Sequence, residues 1–353
     1  MTNCCIHQGS AADVLATLPR KSVHCLVTSP PYFHLRDYQA DGQIGLERTP
    51  EQYIRRLVEV FRAAREVLRD DGSMWINIGD SYARDGVPSG LPKKSLLLIP
   101  FRLAAALQED GWILRCDVVW EKSNCTPESA HDRPCRSHEY LFLFSKQARY
   151  YYDREEVREV HQGKPPTGKK AAALARAGLG VIRPDGTRAE RNGLPVYSAN
   201  TDDGKWAKSK EAHGGFVTWN PRGRNRRSVW HLPASCFDPK TVGIHDVDHF
   251  AMFPPRLIEP CVLASTPSGG CCPHCLTPLK RYVASYEDLE DTWVPQCSCP
   301  PGEPVPATVL DPFCGSGTTG VVAKRHGRNF TGVELNPSYV RLAQARIGSA
   351  NLK

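Results

Sequence analysis

The sequence lacks any long apolar run, and this absence excludes proteins that cross a membrane as apolar helices. None of its 353 residues belongs to a stretch that approaches the roughly 18 apolar residues of a membrane-spanning helix. The first eight residues also lack the basic start and the apolar run of a secretory signal peptide. We therefore expect a cytoplasmic protein with no membrane partner. In that compartment, its 14 cysteines favour free thiols or metal ligands over a disulfide framework.

The net charge of +7 is distributed unevenly along the chain. Residues 161–230 contain 14 Lys and Arg against 5 Asp and Glu, a net charge of +9, so the other residues sum to −2. Aromatic residues are interleaved with these charges, at Tyr197, Trp206, Phe216 and Trp219. A basic segment on a near-neutral body predicts a polyanion as partner, with a merely solvated loop as the alternative.

Near the C-terminus, an apolar strand pattern at residues 308–310 leads into a glycine-rich turn and then a helix pattern. The turn contains G-x-G-x-x-G at Gly315, Gly317 and Gly320. Such a turn leaves backbone N–H groups free at the helix start and lets a ligand approach closely. Glu334 ends the next strand pattern, where doubly wound folds place a carboxylate on a ribose. The stretch predicts an adenosine-type cofactor. A nicotinamide enzyme shares this fingerprint, but only 33 residues follow Gly320.

A second signal lies close to the N-terminus. Residues 23–28 form a continuous apolar strand pattern that stops at Ser29-Pro30-Pro31-Tyr32. Because two prolines cannot continue a β-ladder, the chain leaves the sheet here, at the edge where open α/β sheets bind ligands. A helix pattern from Pro50 to Leu68 follows, which Asp70-Asp71-Gly72 is expected to end, and the next strand is expected from Ser73 to Ile78.

Together, the two motifs resemble those of the amino-methylating DNA methyltransferases. Residues 28–32 are similar to the family's S/D/N-P-P-Y/F catalytic motif, and residues 311–318 resemble its S-adenosylmethionine loop. Catalytic motif first and cofactor loop last is the permuted order of the family's beta class. The resemblance implies an α/β fold with a seven-stranded, doubly wound methyltransferase sheet. Its last two strands, near residues 112–120 and 139–145, would form an antiparallel edge.

The resemblance also implies the residues of a site. Ser29, Pro30, Pro31 and Tyr32 would be catalytic: a backbone carbonyl and the Ser29 hydroxyl accept the two N–H bonds of an exocyclic amino group, and Tyr32 stacks on the flipped base. Residues around the cofactor S-adenosylmethionine would be Asp311, Pro312, Phe313, Cys314, Gly315, Gly317, Thr318, Glu334 and, in a separate motif, Phe253. Lys122 and His138-Glu139 resemble a later motif around the base pocket.

Several alternatives stay open at this stage. Ser29 in place of Asp favours cytosine N4 over adenine N6 as the acceptor. Pro134-Cys135 resembles the covalent nucleophile of cytosine-C5 methyltransferases, although their wider pattern is missing. Gly9-Ser10 stands where the family has Gly-Asp, and Asp80 fits either a site role or a cap. A nicotinamide oxidoreductase and a non-catalytic zinc and DNA-binding protein are the alternatives from other classes.

A cysteine-rich stretch precedes the cofactor loop. Cys272-Pro273-His274-Cys275 forms a tight knuckle, and Cys297 and Cys299 follow after 21 intervening residues. Two thiolate pairs at this separation predict a structural zinc site with the ligands Cys272, Cys275, Cys297 and Cys299. Because the second pair is unusually close, Cys271 and His274 are alternative ligands, and free thiols on a surface insertion are the alternative to metal.

These patterns predict five parts: a catalytic lobe (1–154), a basic target-recognition region (155–235), a return to the core (236–268), a zinc-ribbon-like insertion (269–305) and a cofactor-binding lobe (306–353). The predicted function is a site-specific DNA methyltransferase that modifies double-stranded nucleoid DNA. A cognate restriction endonuclease is a further partner that the family allows.

Overall fold

The computed structural model describes residues 2–125, 128–160, 190–191, 194–195, 222–235, 237–245, 252–282 and 291–352. The chain divides into two units. The larger contains Met1–Glu156, Arg227–Arg281 and Trp293–Lys353, and the smaller contains Val157–Arg226 and Tyr282–Thr292. The aromatic residues of the basic segment, from Tyr197 to Trp219, lie outside the described residues, as does His249-Phe250.

The described elements alternate between strands and helices over much of the chain. The strands are β1 (Cys4–Gln8), β2 (Val23–Thr28), β3 (Leu68–Ile78), β4 (Ile113–Glu121), β5 (His138–Ser145), β6 (Glu190–Arg191), β7 (Leu194–Pro195), β8 (Val229–His231), β9 (Lys280–Tyr282), β10 (Thr292–Val294), β11 (Thr308–Asp311) and β12 (Asn329–Glu334). The helices are α1 (Ala11–Thr17), α2 (Pro50–Val67), α3 (Ile99–Glu109), α4 (Pro255–Ser265), α5 (Thr318–Arg325) and α6 (Pro337–Gly348), with a 3₁₀ turn at Pro239–Val242.

The main sheet belongs to the larger unit and has the strand order β1-β12-β11-β2-β3-β5-β4-β8. Neighbouring strands from β1 to β3 run parallel, whereas β5 runs antiparallel to both β3 and β4. Strand β11, from the end of the chain, therefore pairs with β2, from its beginning. This brings the carboxyl ends of the two strands that carry the sequence motifs side by side.

Each face of the sheet has its own core, because side chains alternate along the buried strands. On β2, Leu26 packs with α1, α2 and α3, while Cys25 and Val27 pack with α4, α5 and α6. On β3, Met74 lies in the first core and Trp75 in the second. A mixed sheet covered by helices on both faces is the α/β architecture that the sequence predicts.

The structure differs from two details of the prediction. The sheet has eight strands rather than seven, because the short strand β8 pairs in parallel with β4 and takes the edge expected for β4. Strand β3 begins at Leu68 rather than at Ser73, because α2 ends at Val67 and Asp70-Asp71-Gly72 belongs to the strand, where its register with β2 shifts.

The smaller unit is described only in part. Within it, Glu159 and Arg224 exchange backbone hydrogen bonds of 2.9 and 2.8 Å, and Arg222 pairs with Asp291 at 2.7 Å.

Among the described helices, none is long and apolar enough to cross a membrane.

Candidate active site

A cavity of about 490 Å³ opens at the carboxyl ends of β2, β11 and β12, within the size range of small-molecule sites. Most of the predicted site residues line it, namely Ser29, Pro30, Pro31, Tyr32, Phe253, Pro312, Phe313, Cys314, Gly315, Thr318 and Glu334. Two motifs separated by more than 280 positions therefore share one cavity. Among the residues predicted for catalysis and cofactor binding, Asp311 and Gly317 do not line it, and neither does His138 of the later motif.

Asp311 lies outside the cavity lining and connects the two motifs through hydrogen bonds. It is 1 % exposed, and its Oδ1 accepts hydrogen bonds from Thr28 Oγ1 at 2.6 Å and from Phe313 N at 3.0 Å. Its Oδ2 accepts a hydrogen bond from Thr319 Oγ1 at 2.6 Å. Burial raises the pKa of this carboxyl to about 6 despite these three bonds. The carboxylate thus fixes the loop after β11 against the end of β2.

The Ser-Pro-Pro-Tyr loop is held from two sides. The Tyr53 hydroxyl, on the buried face of α2, donates a 2.7 Å hydrogen bond to the Pro31 carbonyl oxygen. The Tyr32 ring lies against Gly79, where a Cβ atom would come within 2.7 Å of Tyr32 Cε2. These two contacts therefore fix the conformation of the loop, as orientation-dependent chemistry requires.

Polar side chains continue from this loop across the cavity floor. The Tyr32 hydroxyl donates to Glu139 Oε2 at 2.7 Å and lies 3.4 Å from the Ser29 hydroxyl. Asn77 donates to the same Glu139 oxygen at 3.1 Å, and Lys122 pairs with Glu139 Oε1. Burial, and after it the nearby Glu139 carboxylate, raise the pKa of Tyr32 well above its usual value, so Tyr32 stays a neutral phenol.

The glycine-rich loop is shaped by its neighbours. Gly315 and Gly317 adopt φ values of +51° and +80°, which favour glycine, and Gly317 caps α5. Glu334 accepts hydrogen bonds from Gly315 N and Asn336 N, both at 2.8 Å. Burial raises the pKa of Glu334. The loop and the carboxylate expected on a ribose are thus in direct contact at the cavity edge.

Arg346, on α6, is buried outside the cavity lining and holds two residues that line it, and sequence reasoning missed it. Its Nη1 donates to Ser316 Oγ at 2.9 Å and to Thr318 Oγ1 at 2.8 Å. Burial lowers the pKa of its guanidinium to about 10. Asn77 was missed as well, although its position near the carboxyl end of an apolar strand was a usable signal. The position of Arg346, within an amphipathic helix, gave none.

Of the residues left open by the sequence, Cys135 and Asp80 lie outside the cavity lining. Cys135 is exposed and is not part of the cavity lining, so the structure gives no support to a covalent cysteine mechanism. Asp80 accepts hydrogen bonds from Ser81 N and Ile99 N, both at 2.9 Å, which is the capping role. Gly9 and Ser10 do line the cavity.

A separate cluster lies at the opposite, amino ends of the strands. The ligand atoms of Cys272, Cys275, Cys297 and Cys299 all lie within 4.8 Å of one another. Four sulfurs at 2.3 Å from one zinc ion would be about 3.8 Å apart, so the arrangement fits a tetrahedral metal. Hydrogen bonds from Thr277 lower the pKa of the Cys275 thiol to about 6. His274 is exposed and lies outside the cluster.

The knuckle is fastened to the sheet through its backbone carbonyls. His24, buried on β2, lies 2.8 Å from the Leu276 carbonyl oxygen through Nε2 and accepts from Thr308 N at 3.0 Å through Nδ1. Arg69, on β3, donates to the Cys275 carbonyl oxygen at 2.8 Å. Cys271 contacts His24 Nε2 at 3.2 Å. The cysteine cluster is therefore anchored to the first residues of β2, β3 and β11.

An α/β sheet with a cavity at its carboxyl edge defines the class of open α/β proteins that bind ligands at this edge, and comparison with known proteins identifies the family within that class. The family model described as DNA methylase matches residues 23–273 and 288–345. The chain belongs to this family of S-adenosylmethionine-dependent N4/N6 amino-methyltransferases.

Individual relatives agree with this assignment. The chain is 37 % identical to the type II methyltransferase M.Cfr9I of Citrobacter freundii, over 97 % of this chain and 87 % of that protein. It is 34 % identical to M.SmaI of Serratia marcescens, over 98 % and 91 % of the two chains. Among solved structures, a PvuII cytosine-N4-specific DNA methyltransferase has a similar fold, with a TM-score of 0.58 at 17 % identity over 100 % of this chain and 89 % of that one.

Proposed function

We propose that this protein transfers a methyl group from S-adenosylmethionine to the exocyclic N4 of a flipped cytosine in double-stranded DNA. The observation that carries the proposal is the shared cavity, in which the Ser29 hydroxyl and the Phe313–Gly315 loop line the same space. The family accounts for amino-group methylation, and Ser29 ahead of Pro-Pro-Tyr favours cytosine. Catalytic motif first and cofactor loop last supports membership of the permuted beta class.

The cavity suits the cofactor on its own chemistry. Glu334 presents a carboxylate at the end of β12, where ribose hydroxyls are bound in doubly wound folds, and Gly315 leaves room for a ligand at the loop. Phe313, Phe253 and Thr318 would complete the binding site. When bound, the cofactor supplies an electrophilic methyl group on a sulfonium.

The chain's own residues would activate the amino group. Its lone pair is delocalised into the base, so it attacks poorly until two acceptors hold its N–H bonds. Ser29 Oγ is one acceptor. Because the Pro31 carbonyl already accepts a hydrogen bond from Tyr53, we assign the Pro30 carbonyl as the second. These acceptors, fixed by two prolines, orient the lone pair toward the methyl group.

Product analysis tests the proposal directly. Wild-type protein, labelled cofactor and duplex DNA should yield N4-methylcytosine in the nuclease digest, detected by mass spectrometry. Ser29→Ala should abolish transfer while S-adenosylhomocysteine binding, measured by calorimetry, persists. Ser22→Ala, at a half-buried serine near the amino end of β2 and outside the cavity lining, is the matched control. N6-methyladenine as the product would select the alternative acceptor, and no methylated base would refute both.

The organisation into functional regions follows from the same proposal. Residues 155–235 would recognise the target sequence, with 1–154, 236–268 and 306–353 forming the catalytic core. The relatives named above are type II methyltransferases, which supports a role beside a cognate restriction endonuclease.

We also propose that the cysteine cluster holds one structural zinc ion. Four thiolates fill a tetrahedral shell and leave no open position for catalysis. Purified protein should contain about one equivalent of zinc, and Cys297→Ser should lose it. Cys5→Ser, which changes an exposed cysteine outside the cluster, should retain it. Less than half an equivalent in the wild type would contradict the proposal.

A further inference from the structure

The side chains around the Ser-Pro-Pro-Tyr loop form a continuous chain of hydrogen bonds that ends on a carboxylate. The Ser29 hydroxyl can donate to the Tyr32 hydroxyl at 3.4 Å, and Tyr32 donates to Glu139 Oε2 at 2.7 Å. All three residues line the cavity. The chain begins at the atom assigned to the amino group of the base and leads away from it.

Amino methylation leaves one proton to be removed. The nitrogen lone pair forms the new N–CH₃ bond, while the electrons of the S–CH₃ bond stay on sulfur. The nitrogen then carries a positive charge and one proton too many. A serine hydroxyl is a poor final acceptor because it would become a strongly acidic oxonium, so the proton needs a destination beyond Ser29.

We propose that Glu139 is the final acceptor of this proton, through a relay of the Ser29 and Tyr32 hydroxyls. Ser29 Oγ takes the proton from nitrogen as its own proton passes to Tyr32 Oη, and the Tyr32 proton passes to Glu139 Oε2. Each hydroxyl gains and loses one proton, so only nitrogen and Glu139 change charge. The inference rests on the proposed amino methylation and holds for either base.

The surroundings of Glu139 fit this role. Lys122 pairs with the other carboxylate oxygen, Oε1, and leaves Oε2 directed at Tyr32. Asn77 donates to Oε2 and so fixes the carboxylate from the β3 side. Since Tyr32 is held as a neutral phenol, it can pass a proton on only while receiving another, which is the behaviour of a relay.

Chemical rescue tests the proposal in the full-length protein. Glu139→Ala should lower the single-turnover rate of methyl transfer on the order of 100-fold, and added formate should restore much of it by supplying a carboxylate. Glu139→Gln fills the space and should stay slow with formate. Glu66→Gln, at an exposed ion pair on α2, is the matched control and should keep the wild-type rate.

Tyr32 separates a relay from a simple charge effect. In Tyr32→Phe the ring remains but the hydroxyl is gone, so the Tyr32→Phe/Glu139→Ala double variant should be no slower than Glu139→Ala and should not respond to formate. If Glu139 served only to neutralise Lys122, formate would rescue the double variant as well.

Two results would overturn the relay while leaving the proposed function intact: a wild-type rate in Glu139→Ala, or rescue of the double variant by formate. Loss of cofactor binding in Glu139→Ala, seen by calorimetry, would also count against it by giving Glu139 a binding role. Failure of the proposed function would instead appear as the absence of methylated base with the wild-type protein.

Discussion

Asp311 shows how a single buried residue can carry a role that its motif does not reveal. The sequence placed it beside the cofactor, whereas its carboxylate accepts three hydrogen bonds within the protein, one of them from Thr28 on β2. A carboxyl with a raised folded pKa contributes stability at low pH, where it is protonated, and loses that contribution as the pH rises through its folded pKa.

This gives a pH-dependent prediction. The unfolded pKa of Asp is about 3.9 and the folded pKa of Asp311 is about 6, so wild-type protein should lose about 2–3 kcal/mol of unfolding free energy from this group between pH 4 and pH 7. Asp311→Asn cannot ionise and lacks this component. Urea unfolding of both proteins at several pH values isolates it as their difference, and parallel pH profiles would contradict the prediction.

Gly79 sets the position of Tyr32. Gly79→Ala would place a Cβ 2.7 Å from Tyr32 Cε2, so the ring must move. We expect methyl transfer to slow by about 10- to 100-fold, with cofactor affinity unchanged, in single-turnover and calorimetric measurements. Gly348→Ala, where a Cβ meets nothing within 4 Å, is the control. A wild-type rate in Gly79→Ala would show that the ring position does not limit transfer.

Some residues of the cavity could be predicted and others could not, for a physical reason. Ser29, Tyr32 and Phe313 stand in short contiguous motifs whose backbone chemistry is visible in the sequence. The placement of Asn77 against Glu139, and of Arg346 against Thr318, depends on contacts between residues far apart in the chain. Local patterns do not encode such contacts.

At the scale of elements, the third glycine of G-x-G-x-x-G acts in packing. A Cβ on Gly320 would lie 2.3 Å from Ile347 Cδ1 and 2.7 Å from the Phe330 ring. Because Gly320 has no Cβ atom, α5 can approach β12 and α6 closely. The motif therefore combines two loop glycines with one packing glycine, in line with their separate roles in doubly wound folds.

Replacing Gly320 with alanine should push α5 away from β12 and α6 and so destabilise the protein. Gly320→Ala is expected to lower the unfolding free energy by about 1–3 kcal/mol through overpacking. Adding Ile347→Val removes the nearer contact and should recover part of the loss. Denaturant unfolding of the three proteins measures both effects, and a fully stable Gly320→Ala would disprove the packing role.

The predicted start of β3 at Ser73 was wrong, since the strand begins at Leu68. Asp70-Asp71-Gly72 has turn composition, yet it lies within β3, where the register with β2 shifts, and Lys21 and Lys146 both pair with Asp70. Gly72 allows β3 to approach β2 closely, since a Cβ there would lie 2.9 Å from the His24 carbonyl oxygen. Composition alone cannot distinguish a glycine that is required by a turn from one that is required by close packing.

At the scale of the whole molecule, the fold class followed from two motifs that had to meet at one sheet edge. The extra strand β8 could not be foreseen, because three residues within a charged segment carry no strand periodicity. The predicted domain boundaries remain predictions, as does DNA recognition by the basic segment.

The basic segment predicts strong salt dependence of DNA binding. Each phosphate contact made by Lys or Arg releases counterions, so log K should fall linearly and steeply with log salt. Replacing Lys208 and Lys210 with Gln should reduce the slope by up to about 2 if both contact phosphates. Fluorescence anisotropy with labelled duplex measures the slope. A flat response would exclude phosphate contacts as the main source of affinity.

The anchoring of the cysteine knuckle makes this enzyme depend on the zinc supply of the cell if the cluster holds zinc as proposed. His24 and Arg69 tie the knuckle to the first residues of β2 and β3, and the same strands end at the cavity. If the cluster fills with zinc as proposed, growth without that metal should yield loosened enzyme and a genome with unmodified sites. In a cell that also carries the matching nuclease, scarcity of a trace element would then appear as breaks in its own chromosome.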